Sequence, residues 1–465
     1  MIPPLMEVLA AAVPPALAAT LWAWRRPNAR QRTGMLLASA WLLATLPPLN
    51  ALAARAGWWR FAWGGDEWSR MPPGFLAGWV VGWGVLPLLA LPGAPASAWA
   101  AVLVCLDVLL MPRLAPALRL GPGWLWGEAL LVALAFVPAY LLGRWTAEER
   151  RLHGRAALQA ACFALLILGL LPDGVEAAVR AGWPAGWLRF PPLASPFVAV
   201  QVVALPALLG LAAVHEFAAR GGGTPLPFDP PRRLVRSGPY AFIANPMQLS
   251  MAAVLVLWGM MGGRPWVAAA GVMSVIYSAG LAAWDEGTDL EERFGGAWAE
   301  YRARVRAWIP RWRPWHPSLV GDGEPARLYV AGGCGVCSEL GAEVERLRPV
   351  GLVVVAAEDH PTRQLTRITY DPMDGGAEET GVAAVARAME HVNFAFALLG
   401  MAMRLPVIRP LLQVVVDASG GGPQPVAWRG AAGDRAGFGT AKTSACAIRP
   451  ARSRGGRSRF IAIGQ

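Results

Sequence analysis

Lysine is almost absent from this chain: all but one of its 42 basic residues are arginines, and the exception is Lys442 near the end. Charged residues of both signs make up only 16% of the 465 residues, whereas about 25% is usual for a soluble domain. Hydrophobic residues reach 55%. This composition excludes an ordinary soluble protein and indicates that much of the chain lies in a bilayer.

Cysteine is scarce too, and the five cysteines do not suggest the framework of a secreted, disulfide-rich domain. Cys105 and Cys162 lie in apolar runs, Cys446 lies near the end, and Cys334 and Cys337 form a CxxC pair. The formal net charge of +11 is not concentrated in a basic face or repeat. In a membrane protein such an excess of arginine favours topology and lipid-headgroup contact over nucleic-acid binding, so no nucleic-acid partner is expected.

Nine apolar runs approach the length of about 20 residues that a membrane helix needs. The first has no basic segment before it and no clear cleavage site, which favours a retained span over a signal peptide. The sequence therefore predicts an α-helical polytopic membrane protein with about nine transmembrane helices. The runs cover residues 5–24, 34–54, 74–92, 96–112, 123–143, 156–172, 194–214, 247–262 and 265–284.

Arginines are unevenly distributed between the alternate loops that separate these runs. One set of loops carries dense arginines at 25–32, 144–155 and 220–236, and the other set carries fewer. Because positively charged loops tend to stay in the cytoplasm, the N-terminus is predicted outside and everything after about residue 285 inside. The expected location is a bacterial inner membrane with the C-terminal part in the cytoplasm.

The character of the chain changes after "WIPRWRPWHPSLVGDGEP", a segment rich in proline and tryptophan. Beyond it, β-branched runs alternate with helical patterns, which predicts a small α/β domain. Within that domain the apolar stretch Phe394 to Val416 is interrupted by arginines and prolines, so amphipathic or core helices are expected there instead of a further span. The predicted units are N-terminal transmembrane helices (1–155), a second transmembrane unit (156–318), a linker (319–324), the α/β domain (325–425) and a basic disordered tail (426–465).

The stretch "RRLVRSGPYAFIANPMQLS", Arg232 to Ser250, joins two apolar runs and has an unusual composition for a short loop. Gly238 and Pro239 favour a sharp turn, and Asn245 and Pro246 suit the start of the next helix. Free N–H groups and aromatic faces suit a ligand that carries both an anionic and a cationic group. A loop that contacts lipid headgroups explains the same residues, so both interpretations stay open on this stretch alone.

A second segment, "WDEGTDLEERFGGAWAEYRARVRAWIPRW", follows the last apolar run, and its aromatic residues repeat at helical spacing. This pattern predicts an amphipathic helix that lies on the membrane against the loop. The matching pieces "GPYAFIANPMQ" and "DEGTDLEERFGGAWAEYRARVRAWIPRW" together resemble the isoprenylcysteine carboxyl methyltransferase and phospholipid methyltransferase superfamily, over residues 195–315. The resemblance implies methyl transfer from S-adenosylmethionine to a membrane lipid or lipidated acceptor that enters from the bilayer.

The resemblance also implies roles for individual residues. Arg302 and Arg306 are candidates for holding an acidic group of the acceptor, and Ala244-Asn245 stands where the family has Arg-His. Methyl transfer from a sulfonium depends on positioning and desolvation, so it requires no nucleophilic side chain. The residues assigned to the cofactor pocket are Gly238, Pro239, Tyr240, Asn245, Pro246, Asp285 and Glu286.

Cys334 follows a predicted strand and begins a predicted helix, with Cys337 one turn further on. A helix N-terminus stabilises a thiolate, so the pair suits thiol–disulfide exchange. A structural zinc site usually has four ligands, and the sequence has neither a second CxxC nor paired histidines, so redox chemistry is favoured over zinc and no metal site is assigned.

The segment around this pair, residues 325–420, is similar to the DCC thiol–disulfide oxidoreductases, a thioredoxin-like group. The sequence "YVAGGCGVC" lacks the aspartate of that family's "YDGxCxxC" pattern. The resemblance implies a cytoplasmic α/β domain of thioredoxin-like fold, with catalytic Cys334 and Cys337 and a cytoplasmic thiol redox partner.

Two functional hypotheses follow. The first is a membrane methyltransferase with a fused redox domain. The second is a non-catalytic scaffold or small-lipid transporter whose only chemistry is the CxxC pair. Intramembrane charge pairs favour transport, and Asp107 and Glu128 are the clear acids of the early spans.

Overall fold

The computed structural model describes residues 3–62, 71–115, 117–182, 190–226, 229–321 and 323–429, so most of the predicted tail lies outside the described residues. Helices account for most of the described residues up to Arg304. These helices are α1 (Pro3–Arg25), α2 (Ala29–Arg55), α3 (Pro73–Gly84), α4 (Leu86–Ala90), α5 (Ala96–Leu110), α6 (Trp124–Leu131), α7 (Val137–Glu148), α8 (Leu152–Leu165), α9 (Leu171–Gly182), α10 (Pro196–Glu216), α11 (Pro246–Met261), α12 (Pro265–Tyr277), α13 (Ala283–Phe294) and α14 (Gly296–Arg304).

Several of these helices continue into one another, and the described part of the chain contains seven that are long and apolar enough to cross a membrane. Two more apolar helices, Pro246–Met261 and Pro265–Gly280, coincide with the last two predicted runs but are shorter. The structure therefore agrees with a polytopic, membrane-embedded helical protein, with seven long helices where nine spans were expected. The seven are Leu5–Arg25, Ala29–Arg55, Pro73–Ala90, Ala96–Leu114, Trp124–Glu148, Leu152–Ala177 and Pro196–Gly221.

Helices α2 and α7 form the centre of the N-terminal bundle. They approach so closely at Gly34 and Gly143 that a Cβ on Gly34 would lie 2.4 Å from the Gly143 carbonyl oxygen. Small residues allow helix backbones to pack in this way inside a bilayer. At one end, the short strands β1 (Trp59–Phe61) and β2 (Leu118–Leu120) pair antiparallel. The buried Trp59 indole there donates to the Asn50 side chain at 2.9 Å.

The C-terminal region forms a mixed four-stranded sheet. Its strands are β3 (Ala326–Val330), β4 (Leu352–Ala356), β5 (Thr369–Asp371) and β6 (Glu379–Thr380). They are arranged in the order β4-β3-β5-β6, with β3 and β4 parallel and the other pairs antiparallel. Helix α15 (Gly335–Arg346) connects the parallel strands, and α16 (Val382–Glu390) follows β6. The α/β architecture predicted for this region is therefore present.

The core of this sheet is built from alternating strand residues, because successive side chains point to opposite faces. Ala326, Leu328 and Val330 of β3 are buried together with Val344 of α15 and Ala384 of α16. Two final helices, α17 (Phe394–Met403) and α18 (Ile408–Val416), follow α16 and are bent by 88° relative to each other. The stretch predicted as amphipathic or core helices thus forms two separate helices.

His391, just beyond α16, connects the helix to the sheet. Its Nδ1 lies 2.7 Å from the Val350 carbonyl, so Nδ1–H donates there, and its Nε2 accepts from the Tyr370 hydroxyl at 2.9 Å. Burial is the main cause that lowers the pKa of His391 to about 3. The ring is therefore neutral in the folded domain over the whole physiological pH range.

Acidification from about pH 7.5 to pH 5 should destabilise the C-terminal domain through His391. An unfolded histidine takes up a proton near pH 6.5, whereas the folded ring does not. The neutral His391 ring therefore makes its full contribution to the free energy of unfolding above about pH 6.5. This contribution is smaller by roughly 2 kcal/mol at pH 5 and decreases further as the pH falls towards 3. Thermal unfolding of the full chain in nanodiscs, compared between wild type and His391→Gln, measures this slope. The exposed His153 supplies the control variant His153→Gln, and an unchanged slope in His391→Gln would contradict the assignment.

Candidate functional site

The loop in the stretch Arg232 to Ser250 packs along the last turns of α10. Ser237 donates to Glu216 at 2.6 Å, and Phe242 packs against Leu209 about two turns earlier on the helix. Gly238 has a φ of +60°, and a Cβ there would lie 3.1 Å from the Glu216 side chain. Glycine is therefore required at this turn, because other residues rarely adopt that conformation and would have no space.

The end of the loop starts α11 as predicted, although one detail differs. Pro246 occupies the first turn of the helix, where its missing N–H costs no hydrogen bond. Asn245 stands at the position before it, but its side chain makes no capping bond. The expected Asn245 cap is therefore absent, and the proline alone favours the helix start.

The two segments that carry the methyltransferase resemblance lie against each other. Ala244 N–H donates to the Arg306 carbonyl at 2.9 Å, Trp315 N–H donates to the Ala241 carbonyl at 2.8 Å, and Arg311 N–H donates to the Phe242 carbonyl at 2.9 Å. The Tyr301 hydroxyl donates to the Tyr240 carbonyl at 2.8 Å. Sequence order alone predicted only that these segments would be neighbours; the structure joins them through backbone hydrogen bonds.

A cavity of about 630 Å³ opens beside this junction. Its walls come from the loop, from Ala297 of α14, from the segment Pro314–Pro317 and from the α/β domain, including Tyr370 and His391. Three arginines of the transmembrane unit also line it, namely Arg220, Arg233 and Arg236. The cavity is thus enclosed by both halves of the protein.

The residues assigned to the cofactor are only partly brought to this cavity. Gly238 lines it, whereas Pro239, Tyr240, Asn245 and Pro246 do not reach its wall. Tyr240 is buried, and its hydroxyl has no hydrogen-bond partner among the described residues; burial raises the pKa of Tyr240 well above its ordinary value. Asp285 and Glu286 belong to α13, but their side chains lie outside the described residues.

The two arginines proposed for the acceptor lie away from the cavity. The Arg302 guanidinium stacks over the Trp298 ring, 5.5 Å from its centroid. Arg306 is exposed and contributes its backbone carbonyl to the junction. Other arginines line the cavity instead: Arg233 and Arg236 of the loop, Arg220 and Arg387.

A buried ion network joins α10 to the α/β domain at the cavity wall, and sequence reasoning missed it. Arg387 of α16 makes two bonds to Glu216, at 3.0 and 2.8 Å, and further bonds to Glu379 at 2.8 Å and Glu390 at 2.9 Å. Arg404 binds the same Glu379 and Glu390 carboxylates at 2.9–3.1 Å. One signal in the sequence was an arginine within the alanine-rich, inward-facing stripe of α16.

Opposite charges within this network outweigh the cost of burial. Burial by itself raises the pKa of the Glu379 carboxyl, but Arg387 and Arg404 hold that pKa below its usual value. Burial likewise disfavours the charged guanidinium of Arg387, but Glu216, Glu390 and Glu379 keep its pKa well above the ordinary value. Glu379 and Arg387 are therefore charged at neutral pH.

The CxxC pair lies after β3, at the start of helix α15, which connects β3 to β4. Cys334 is the residue before α15 and Cys337 lies in its first turn; both thiols are partly exposed. The Glu358 carboxylate accepts from the N–H groups of Gly332 (2.9 Å) and Gly333 (3.4 Å) just before the pair. Among the described residues there is no group of three or more His, Cys, Asp or Glu side chains arranged for a metal.

The two intramembrane acids of the N-terminal bundle also meet. Asp107 of α5 and Glu128 of α6 are both buried, and their side chains are hydrogen-bonded to each other. One oxygen of each carboxyl has no hydrogen-bond partner within the described ranges. Asp107 lies three residues before the end of α5 and Glu128 lies four residues after the start of α6, so both are near helix ends. The buried pair is the feature that favours the transport alternative.

Replacing Arg387 with methionine should loosen the docking of the α/β domain. The change leaves Glu379 and Glu390 with Arg404, and Glu216 with only longer contacts to Arg404 (3.7 Å) and Arg220 (3.8 Å). Removing one partner of a buried ion pair typically costs about 3–5 kcal/mol. The measurements are thermal unfolding in nanodiscs and hydrogen exchange at the end of α10.

Arg327→Met is the matched control, because Arg327 pairs with Glu324 at 2.9 Å on the surface, where such pairs contribute about 0–1 kcal/mol. Equal destabilisation by the two variants would contradict a docking role for Arg387.

Comparisons with known proteins return no family. No family model matches the chain, and no match occurs among the curated proteins or the solved structures that were searched. Any function is therefore argued from the residues and the geometry above.

Proposed function

We propose that this protein is an integral membrane methyltransferase that uses S-adenosylmethionine and acts on a lipophilic acceptor, with a fused thiol–disulfide oxidoreductase domain of thioredoxin-like fold. The methyltransferase assignment rests on the backbone hydrogen bonds between the loop and the segment after α14. These are the two segments that resemble the isoprenylcysteine carboxyl methyltransferase group, and they fold here as one unit around the buried Tyr301. The arginine distribution supports a cytoplasmic position for this unit.

The cavity suits a ligand of this kind in size and polarity. Small-molecule sites commonly enclose about 300–1,000 Å³, and this cavity has about 630 Å³. Arg233 and Arg236 suit the carboxylate of an amino-acid moiety, Glu324 and Asp374 suit its ammonium group, and Trp315 offers an aromatic wall. The residues present therefore fit the cofactor.

When bound, S-adenosylmethionine supplies an electrophilic methyl group. The chain's own contribution is positioning and exclusion of water, since no nucleophilic side chain is needed. The turn at Gly238 brings the backbone to the cavity wall, and the cluster of Ala244, Tyr301, Val305 and Trp315 holds that turn rigid. The α/β domain closes the opposite side and reduces access of water.

Gly238→Ala should weaken binding of S-adenosylmethionine by roughly tenfold or more, or about 1.4 kcal/mol. The added Cβ would push on Glu216 and change the turn that lines the cavity. Titration calorimetry on the full chain in nanodiscs measures the affinity. Gly57→Ala is the matched control, because Gly57 also has a positive φ of +70° but no atom within 4 Å of a Cβ.

A second pair of variants tests the carboxylate assigned after the hairpin. Glu286→Ala should also weaken binding, whereas Glu291→Ala, which removes an exposed acid on the same helix, should not. If the wild-type protein binds no cofactor at millimolar concentration, the scaffold or transporter hypothesis replaces this one.

Thiol–disulfide exchange at Cys334 and Cys337 is the second activity that we propose. Both thiols are partly exposed, and Cys334 directly precedes helix α15. The pair therefore lies beyond the carboxyl end of β3, an inner strand of the sheet. Glu358 lies beside the preceding glycines and is a carboxylate close to the position where the family has aspartate. A cytoplasmic thiol protein is the expected redox partner.

Equilibrating the full chain in glutathione buffers should produce an intramolecular Cys334–Cys337 disulfide, with a potential nearer to a reductant than to a strong oxidant. Alkylation followed by peptide mass spectrometry measures the disulfide fraction. Cys105 and Cys162 supply the internal control, since neither should pair. Stoichiometric zinc in the purified protein, or failure of the pair to oxidise, would contradict the redox assignment.

A further inference from the structure

Helices α17 and α18 expose an unusually apolar surface for the end of an α/β domain. On α18 and just before it, Val407, Leu411, Val414 and Val415 are each at least 60% exposed. Leu399 of α17 is 54% exposed. The positions 407, 411, 414 and 415 repeat at helical spacing, so they form one continuous stripe. No described part of the protein covers this stripe.

The opposite side of α18 is held to the domain by polar contacts. The Gln413 side chain accepts from the Val382 N–H at 2.9 Å and donates to Asp417 at 2.8 Å. Arg367 forms an ion pair with Asp417. These bonds determine which side of α18 faces the domain, so the apolar stripe is directed outwards by the fold itself.

Helix α17 contacts the bundle at a level that lies within the apolar part of α10. Ala397 and Met401 pack with Leu209 of α10 and Phe242 of the loop. Leu209 lies seven residues before Glu216, or about 10 Å along the helix axis at 1.5 Å per residue. Helix α10 has exposed apolar residues of its own, including Leu205 and Leu211.

The chain after α18 returns to the sheet domain. Gln424 N–H donates to the Thr366 carbonyl at 2.8 Å, Val426 N–H donates to the Leu365 carbonyl at 3.1 Å, and the Trp428 indole donates to the His360 carbonyl at 2.8 Å. Both ends of the bent pair are therefore attached to the same domain. This arrangement is incompatible with a full crossing of the bilayer by α17 and α18.

We propose that α17 and α18 form an interfacial membrane element, with the Val407–Leu411–Val414–Val415 stripe inserted among the lipids of the leaflet on the side of the α/β domain. Amphipathic helices of this kind bury an apolar side about 5–10 Å into the headgroup and acyl boundary. The depth of the α17 contact on α10 agrees with that position. The α/β domain is then a membrane-surface domain that carries its CxxC pair close to the bilayer.

Photo-crosslinking of the full chain in nanodiscs tests this proposal. A benzophenone amino acid replaces Leu411 in one variant and Val415 in another, and both positions are exposed, so folding is not disturbed. Intact mass spectrometry then identifies what each position captures. The matched control is Val336 of α15, an exposed apolar residue of the same domain (63%) that lies outside the stripe.

Phospholipid adducts at Leu411 and Val415, with none above background at Val336, are the expected result. Adducts between two copies of the chain at Leu411 would overturn the proposal in favour of a dimer interface. Absence of any adduct at Leu411 and Val415 would overturn it in favour of a solvent-exposed surface. None of these outcomes depends on cofactor binding, so the result is independent of the proposed methyltransferase activity.

Discussion

The arrangement of this protein depends on the burial of one guanidinium, that of Arg387, against the end of a membrane helix. Glu216 comes from α10, whereas Glu379 and Glu390 come from the α/β domain, and Arg387 binds all three. Removing one partner from such a buried network leaves the remaining charges uncompensated. This lowers the free energy of unfolding far more than the loss of a surface ion pair does. The network therefore determines how the α/β domain lies on the bundle.

The candidate site is a consequence of that docking. Glu216 also accepts from Ser237, so the same carboxylate positions the loop at Gly238. The cavity has loop residues on one side and the α/β domain on the other, and its shape requires both. The interfacial helices follow the same geometry, because α17 contacts α10 only one or two turns from the network. One electrostatic connection thus relates the loop, the cavity and the membrane-facing surface.

Local features of the site were predictable, and long-range ones were not. Pro246 at a helix start, Gly238 at a tight turn and Cys334 before a helix follow from backbone chemistry that involves only adjacent residues. The assignment of Arg302 to the acceptor rested on position in a motif, and the structure stacks that side chain on Trp298 instead. The Glu216–Arg387 pair joins residues 171 positions apart, which no local pattern reveals.

The sequence by itself determined where the apolar helices and the strands of the α/β domain lie, because hydrophobic periodicity and length act within a few residues. It also determined that the loop and the segment after α14 would be neighbours. Only the tertiary structure decided which arginines line the cavity, that Asp107 meets Glu128, and which side of α18 is left exposed. Those outcomes depend on side chains from distant elements, which either compensate each other's buried charge or leave an apolar surface uncovered. Both are decided only once the elements have packed.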